Sequence, residues 1–225
     1  MSTVVIEDDN ASTPLLRKAI TGGIGSGKSF VCRLLREHGI SVYDCDSHAK
    51  RLMVESARLR RQLTELIGPD AYSSAHQPTP EGEAATAKAP SSEGGGETPA
   101  PTLNKAVVAR FLMSSPEKAH ALEAIVHPAV IDDYLRSGIE WVESAILFES
   151  GLNNYVDRVV VVTAPEEVRI SRIMERDGIT REKALEWIRR QLPQDELIAR
   201  ADHVIVNDGK TPLLPQLRIF LPASS

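Results

Sequence analysis

One stretch of the sequence, residues 20–29 (Ile-Thr-Gly-Gly-Ile-Gly-Ser-Gly-Lys-Ser), constrains the fold more than any other. Gly22 is followed by four residues and then by Gly27, Lys28 and Ser29, which is the pattern of a phosphate-binding P-loop. Such a loop needs glycines because its backbone turns sharply and brings N–H groups close to phosphate oxygens. The pattern therefore predicts a strand, a phosphate loop and a helix in that order.

The residues on both sides of the loop agree with this prediction. Residues 15–21 have the length of a short strand, and residues 29–38 carry Val31, Leu34 and Leu35 on one helical face. A helix that begins at the loop directs its positive end at a bound anion. Lys28 can then reach the β- and γ-phosphates, and the Ser29 hydroxyl can bind Mg2+. The alternative is a glycine-rich turn with a chance Lys-Ser pair, and the flanking strand and helix argue against it.

The composition narrows the class of protein. The chain has 225 residues, 42% of them hydrophobic, and its net charge of -5 argues against general nucleic-acid binding. No apolar run is long enough to cross a membrane, and we expect residues 1–14 to be a disordered leader rather than a secretory signal. The two cysteines, Cys32 and Cys45, are too few for a disulfide scaffold. We therefore expect a cytoplasmic monomer or small homo-oligomer without nucleic-acid or membrane partners.

A second strand, predicted at residues 40–43, ends in Asp44-Cys45-Asp46. Alternation along a strand sends both carboxylates to the same side, and ligands of open α/β sheets bind at the carboxyl ends of the strands. A carboxylate at this point could accept a proton from an acceptor hydroxyl, or hold Mg2+ through water. The alternative is that Asp46 only caps a helix that starts near Ser47. Spacing alone leaves both interpretations open.

A predicted helix over residues 47–67 is strongly basic. Its cationic residues are Lys50, Arg51, Arg58, Arg60 and Arg61. Such a run is usually a solvated face, but it could also hold a phosphorylated ligand. Residues 73–101 contain five prolines and a Gly-Gly-Gly triplet and almost nothing that could pack, so we expect a disordered insertion there.

The rest of the chain continues the alternation of helices and strands. Strands are predicted at residues 141–146, 159–163 and 203–206, and helices at 105–113, 116–126, 129–136, 165–177, 180–191 and 194–201. His127-Pro128 should interrupt one helix, and a lone histidine before proline is more often a turn or cap residue than a catalyst. Arginines are dense over residues 172–190, where they could close over a triphosphate or lie on a solvated surface.

Taken in order, these motifs resemble the dephospho-CoA kinase family. The matching segments are residues 21–29, Asp44-Cys45-Asp46, His127-Pro128, Leu147-Phe148-Glu149, Arg176-Asp177, Gln191, and residues 201–205 followed by Asn207 and Gly209. The likeness covers most of residues 15–209. The loop alone indicates only a P-loop hydrolase or kinase, whereas the double glycine, the Asp-x-Asp and the Asn-x-Gly together make the resemblance specific.

The resemblance implies an α/β fold, namely a P-loop nucleoside-monophosphate-kinase-like three-layer α/β/α parallel sheet with a helical lid and a helical substrate lobe. It also implies an enzyme in which ATP, with Mg2+, donates its γ-phosphoryl group to the ribose 3′-hydroxyl of dephospho-CoA, giving CoA and ADP. The implied catalytic residues are Asp46 as general base, Lys28 and Arg176. The implied nucleotide-binding residues are Gly23, Ile24, Gly25, Ser26, Gly27, Lys28, Ser29, Phe30, Arg176 and Asn207, with Ser29 on the metal. The implied acceptor-binding residues are Asp44, Asp46, Lys50 and His127.

The resemblance further divides the chain into segments. The nucleotide-binding core would comprise residues 15–46, 134–173 and 202–225, the acceptor-binding lobe residues 47–133 and the lid residues 174–201. The chain departs from the family pattern at three positions in particular. Phe30 replaces a small hydroxyl residue, Lys50 replaces a frequent arginine, and Leu197 occupies a usually basic position. The insertion at 73–101 also exceeds the family's loop.

Other function classes explain less of the sequence. Another P-loop small-molecule or nucleoside monophosphate kinase would share the loop, the sheet and the lid, but it would carry other acceptor residues than Asp44-Cys45-Asp46. A GTPase would need an Asn-Lys-x-Asp motif, and the one Asn-Lys pair, at Asn104, lacks the Asp. A non-catalytic nucleotide-binding module is disfavoured by intact Lys28, Ser29 and Asp46.

Overall fold

The computed structural model describes residues 15–73 and 101–222. The predicted leader, 1–14, and nearly all of the predicted insertion, 73–101, lie outside the described residues, so their predicted disorder stays a prediction. The chain divides into two compact units, one formed by the residues up to Cys45 together with those from Tyr134 onward, and the other by Asp46–Asp133. No helix within the two described ranges is long and apolar enough to span a membrane.

Seven strands and nine α-helices alternate along the described residues. The strands are β1 (Lys18–Thr21), β2 (Val42–Asp44), β3 (Tyr72–Ser73), β4 (Thr102–Leu103), β5 (Trp141–Glu143), β6 (Arg158–Thr163) and β7 (His203–Val206). The helices are α1 (Lys28–Glu37), α2 (Cys45–Glu55), α3 (Ala57–Ile67), α4 (Lys105–Ser114), α5 (Pro116–Ser137), α6 (Glu166–Asp177), α7 (Arg181–Arg189), α8 (Gln194–Ala199) and α9 (Leu213–Leu217).

Five strands form a parallel sheet in the order β2-β5-β1-β6-β7, which confirms the predicted α/β class. The sheet lies wholly in the first unit, and β1 is its central strand. Glu143 of β5 is in register with Ile20 of β1 on one side and with Asp44 of β2 on the other. Because the strands are parallel, their carboxyl ends meet at one edge, and ligands of such sheets bind at that edge.

The sheet is covered on both faces, as its β-branched sequence requires. All residues of β6 after Arg158 are buried. Val160 and Val162 belong to a core cluster with side chains of α1 and α9, whereas Val161, also buried, points to the opposite face by the alternation of the strand. A continuous run of valines therefore suits a strand with a helical layer on each side.

The predicted single helix over residues 47–67 is wrong, because the chain forms two helices there. Ser56 lies between α2 and α3 in an extended conformation, and its Oγ accepts a hydrogen bond from the Leu59 N–H at 3.3 Å. Serine favours this capping role, which ends one helix and starts the next. The helix α2 begins at Cys45, so Asp46 lies in its first turn and does not cap a helix starting near Ser47.

The predicted interruption at His127-Pro128 is also wrong, because α5 runs continuously from Pro116 to Ser137 with Pro128 inside it. Proline removes one helical hydrogen bond and strains the preceding turn, at a cost of about 3 kcal/mol. The helix continues because one face of it is buried on both sides of the proline. Val126 and Val130, one turn apart on either side of the proline, are 6% and 8% exposed.

In the second unit, β3 and β4 form a two-stranded antiparallel hairpin at the base of the predicted insertion. Tyr72 pairs with Leu103 and Ser73 with Thr102, so the chain leaves and re-enters the described residues at adjacent points. The Tyr72 hydroxyl donates to the Met53 carbonyl at 2.7 Å, which ties the hairpin to α2.

The basic helices of the second unit are partly neutralised within it. Arg51 pairs with Glu55 and with Asp133, and Arg60 donates to the carbonyls of Val54 and Glu55. These contacts favour a structural role for the two arginines over the alternative of a phosphate-binding face.

Candidate active site

The glycine-rich loop leaves β1 at the centre of the sheet, and two of its glycines are required by the space around them. Gly22 has φ +148°, and a Cβ added there would overlap the carbonyl oxygen of Val162 in the neighbouring strand β6. Gly27 has φ +88°, and a Cβ there would overlap the side-chain amide of Asn207. The loop therefore folds against β6 and the end of β7 at distances that only glycine allows.

The carbonyl oxygens of the loop are held by two arginines on α6. The Nε of Arg169 donates to the Ile24 carbonyl at 2.9 Å. One turn further along, Arg172 donates to the carbonyls of Gly25 and Ser26 at 3.3 and 3.4 Å. Arg169 is only 5% exposed, and burial lowers the pKa of its guanidinium.

Asn207, directly after β7, completes this support. It is 8% exposed, its Nδ2 donates to the Ser26 carbonyl at 2.9 Å, and its Oδ1 accepts from Arg172 at 3.4 Å. The nucleotide-binding role that the family resemblance implies for Asn207 stays a prediction.

These contacts orient the loop's amides. The described chain contains no cis peptide bond, and in a trans peptide the C=O and the following N–H point in opposite directions. With the carbonyls of Ile24 and Ser26 directed at α6 and Asn207, the N–H groups of Gly25 and Gly27 point to the other side of the loop. A phosphate group that enters from that side meets preoriented donors.

Two other loop amides are engaged by the protein itself. The Ser26 N–H donates to the Gly23 carbonyl at 3.1 Å, which closes the turn of the loop. The Ile24 N–H donates to Oε1 of Gln191 at 2.6 Å. Among the loop residues predicted to bind nucleotide, Gly25 and Gly27 turn their amides toward the phosphate side of the loop, which we call the cradle, whereas the amides of Ile24 and Ser26 fasten the loop.

At the start of α1, the Ser29 hydroxyl donates to Oε1 of Glu143 at 2.9 Å. Glu143 ends β5 and is 8% exposed. The buried Cys32 thiol lies beside the same carboxylate, and burial together with that carboxylate raises the pKa of the thiol. A hydroxyl and a carboxylate oxygen side by side are the hard ligands that Mg2+ prefers, directly or through water.

Lys28 and Phe30 flank Ser29 in the first turn of α1. Lys28 is its first residue and is half-buried. Phe30 is 43% exposed and stacks on Arg33, with the guanidinium 4.7 Å from the ring centroid. The aromatic ring therefore adds no hydrogen-bond donor at the position where the family usually has a hydroxyl.

Arg176 lies in the last turn of α6, away from the loop contacts made by the same helix. It is bound to its neighbour Asp177 at 2.7 Å, its side chain is 60% exposed, and this pairing raises the pKa of the arginine and lowers that of the aspartate. A phosphate group would compete with Asp177 for the Arg176 guanidinium.

The predicted acceptor-binding residues fall in both units. Asp44 ends β2 in the first unit, in register with Glu143. Asp46, Lys50 and His127 belong to the second unit, where Asp46 and Lys50 are exposed. His127 is half-buried, and burial lowers the pKa of its imidazole.

Sequence reasoning missed Glu143 and Arg169 at this site, and it included Arg172 among arginines that could close over a triphosphate, whereas the structure places it on the carbonyls of the loop. Their partners are more than 110 positions away in the chain, so no local spacing pattern relates them to the loop. One signal pointed to Glu143, because it is the single charged residue in the predicted strand over residues 141–146. Gln191 was matched to the family without a role.

Solved structures agree with this architecture. The Thermus thermophilus protein TT1252 superposes with a TM-score of 0.68 at 30% identity, covering 93% of this chain and 98% of its own. A shikimate kinase from Acinetobacter baumannii gives a TM-score of 0.51 at 15% identity over 92% of each chain, a likeness of fold alone. The parallel sheet, with a phosphate loop directly after its central strand, places the chain in the class of P-loop kinases.

Comparison with related sequences identifies the family within this class. The family model described as dephospho-CoA kinase matches residues 18–76 and 97–212, and the gap between these two ranges lies inside the predicted insertion. A dephospho-CoA kinase of Bacteroides fragilis is 34% identical over 209 residues, 90% of this chain and 89% of its own. That of Porphyromonas gingivalis is 37% identical over 205 residues, 88% of this chain and 89% of its own. The chain belongs to the dephospho-CoA kinase family.

Replacing Gly22 by alanine should damage the loop far more than the same change at Gly39. Both residues have positive φ, but Gly39 has open space around its Cα, whereas a Cβ at Gly22 overlaps the Val162 carbonyl. We expect Gly22→Ala to lower the free energy of unfolding by about 3 kcal/mol and to abolish ADP binding, and Gly39→Ala to cost about 1 kcal/mol and leave it intact. Urea unfolding measures the stability of each variant, and calorimetric titration measures its ADP binding. Equal losses of stability and of ADP binding in the two variants would contradict the steric argument.

Proposed function

We propose that this chain transfers the γ-phosphoryl group of ATP to the ribose 3′-hydroxyl of dephospho-CoA, producing CoA and ADP. The observation that carries the proposal is the family match over residues 18–76 and 97–212, which includes both compact units rather than the phosphate loop alone. The Bacteroides fragilis and Porphyromonas gingivalis relatives, similar over almost the whole chain, bear the same name.

The loop geometry supports ATP as the donor. Amides of Gly25 and Gly27, aimed away from α6, would bind phosphate oxygens, and the start of α1 adds the positive end of its dipole. Lys28, the first residue of that helix, would hold the β- and γ-phosphates. The phosphoryl transfer itself then depends on position and charge more than on covalent chemistry by the protein.

The acceptor needs a base, and Asp46 is the proposed one. In the transfer step, the ribose 3′-oxygen forms a bond to the γ-phosphorus as the bond to the β,γ-bridging oxygen breaks, and the hydroxyl proton passes to the Asp46 carboxylate. Asp46 is exposed in the first turn of α2, directly after the end of β2, so its carboxylate is accessible to solvent. Asp44, Lys50 and His127 are proposed to bind the acceptor.

Ser29 and Glu143 fit Mg2+ as a cofactor. Their oxygen atoms lie 2.9 Å apart, both are hard ligands, and both are at the carboxyl edge of the sheet beside the phosphate loop. The Ser29 hydroxyl would bind the ion, and the Glu143 carboxylate would hold its water ligands. When bound, Mg2+ neutralises charge on the transferring phosphate. The described residues hold no group of three or more His, Cys, Asp or Glu side chains suited to a metal, so oxygens of the nucleotide would complete the coordination.

The segment assignments complete the proposal. Residues 47–133 would accept dephospho-CoA, and residues 174–201 would act as the lid. Arg176, once released from Asp177, would neutralise the phosphates as the lid closes. Closure matters because water that reaches the γ-phosphate turns a kinase into an ATPase. The cytoplasmic location and the oligomeric state stay predictions.

A coupled ADP-release assay with Mg-ATP tests the function directly. We expect strong stimulation by dephospho-CoA, with CoA as the product, and no stimulation by AMP, adenosine or shikimate. The no-acceptor reaction gives the background ATPase rate. Stimulation by another acceptor would keep the ATP site but overturn the substrate, and nucleotide binding without any stimulation would indicate a non-catalytic module.

Replacing Asp46 by asparagine should preserve nucleotide binding and remove the base. We expect turnover with dephospho-CoA to fall by about two orders of magnitude or more, since general base catalysis contributes that much, while the Kd for ADP stays within about twofold. Asp70→Asn, an exposed carboxylate of the same unit, is the matched control and should keep normal turnover. Near-normal turnover in Asp46→Asn would reject Asp46 as the base.

Replacing Glu143 by glutamine should act on the metal requirement. The amide still accepts from Ser29 but carries no charge, so we expect the Mg2+ concentration for half-maximal turnover to rise about tenfold or more, while metal-free ADP binding is retained. Glu37→Gln, on the exposed end of α1, is the control. An unchanged Mg2+ requirement would show that Glu143 only positions Ser29.

A further inference from the structure

Ile24, in the middle of the phosphate loop, is held from three directions by residues that no local pattern connects to it. Its N–H donates to Oε1 of Gln191 at 2.6 Å, and its C=O accepts from Nε of Arg169 at 2.9 Å. Its side chain packs against the buried cluster formed by Ile170, Ile173 and Ala184 of α6 and α7. Loop residues that only bind phosphate would not need such attachments.

These contacts fix the backbone of Ile24. The N–H belongs to the peptide group before its Cα and the C=O to the peptide group after it, so anchoring both groups fixes φ and ψ between them. The arginine also lies against the neighbouring glycines. A Cβ on Gly23 would meet the Arg169 guanidinium, and a Cβ on Gly25 would meet the Arg169 backbone at 2.7 Å. Residues 23–25 therefore rest on α6 along their whole length.

We propose that Arg169 and Gln191 are positioning residues of the phosphate loop, which set nucleotide affinity by holding the two peptide groups on either side of Ile24. The Arg169 bond directs the Ile24 carbonyl toward α6 and so turns the Gly25 N–H into the cradle. The Gln191 bond prevents the preceding peptide group from rotating. Neither side chain needs to touch the nucleotide, since each acts through the backbone of Ile24.

Arg169 and Gln191 come from separate segments of the chain, and both segments are joined to the phosphate loop through Ile24. Arg169 is on α6, and its second contact is Nη1 to Oε1 of Gln194, the first residue of α8, at 3.4 Å. Gln191 lies in the connection between α7 and α8. Both side chains line a cavity of about 440 Å3 bounded by that connection. A displacement of residues 189–194, part of the proposed lid, would therefore change the contacts that hold the loop.

The test measures ADP affinity, which does not involve the acceptor. Gln191→Met keeps the length of the side chain but removes the acceptor, and we expect the Kd for ADP to rise on the order of tenfold. Gln216→Met is the matched control: Gln216 also accepts from a backbone N–H, that of Val206 at 2.8 Å, but not in the loop. We expect that variant to bind ADP with wild-type affinity.

Arg169 is examined with two variants because it is buried. Arg169→Met should weaken ADP binding, and Arg169→Lys, which keeps a charged donor, should restore part of the affinity. Arg169 and Gln191 act on the same residue. In the double variant with methionine at both positions, the Kd for ADP should therefore rise by less than the product of the two single increases. In the double variant Gln191→Met/Gln216→Met, whose two sites are independent, the increase in the Kd for ADP should equal the product of the two single effects. Wild-type ADP affinity in Gln191→Met, or full multiplication of the Arg169 and Gln191 effects, would overturn the proposal.

The kinetic readout rests on the proposed function. We expect the KM for ATP to rise in Gln191→Met while the KM for dephospho-CoA and kcat stay within about twofold. If dephospho-CoA proves not to be the acceptor, the ADP affinities still decide the inference, so the two proposals fail separately. Equal increases in both KM values would indicate a general structural effect and contradict the positioning role.

Discussion

The site depends on one set of hydrogen bonds, those that hold the carbonyl oxygens of the phosphate loop from the side opposite the cradle. Arg169, Arg172 and Asn207 supply them. A peptide group has two polar ends, so binding its oxygen determines where its N–H points. The loop consequently directs these N–H donors to the side from which a phosphate would enter. The close approach of Gly27 to the Asn207 amide, which leaves no room for a Cβ, belongs to the same arrangement.

This arrangement places positive charge beneath the loop at a cost in solvation. Arg169 is almost fully buried, and its hydrogen bonds go to neutral oxygens, a backbone carbonyl and the Gln194 amide. A guanidinium remains charged under these conditions, although burial lowers its pKa. Its hydrogen bonds to the Ile24 carbonyl and the Gln194 side chain offset part of this unfavourable burial.

The sequence predicted those parts of the fold that local rules determine. The P-loop and the strand at residues 159–163 were predicted correctly, because glycine spacing and hydrophobic periodicity act over a few residues, whereas the parallel sheet was predicted from the family resemblance. The missed features depend on distant partners: Glu143 meets Ser29, and Arg169 meets Ile24, only after the sheet has formed. The errors in the helices have a similar origin. The break at Ser56 was missed because a capping serine resembles any other polar residue, and α5 crosses Pro128 because burial of its flanks outweighs the local penalty.

The hairpin at the base of the insertion has a consequence for how this chain tolerates changes in length. Because Ser73 and Thr102 are paired, the ends of the intervening segment are joined by the fold itself. The entropy of closing a loop grows only logarithmically, so doubling its length costs about 0.6 kcal/mol. A family member can therefore gain or lose residues at this point while the sheet and the phosphate loop, built from other parts of the chain, stay unaltered. The same property makes the hairpin a suitable point for introducing a tag or a fluorescent reporter.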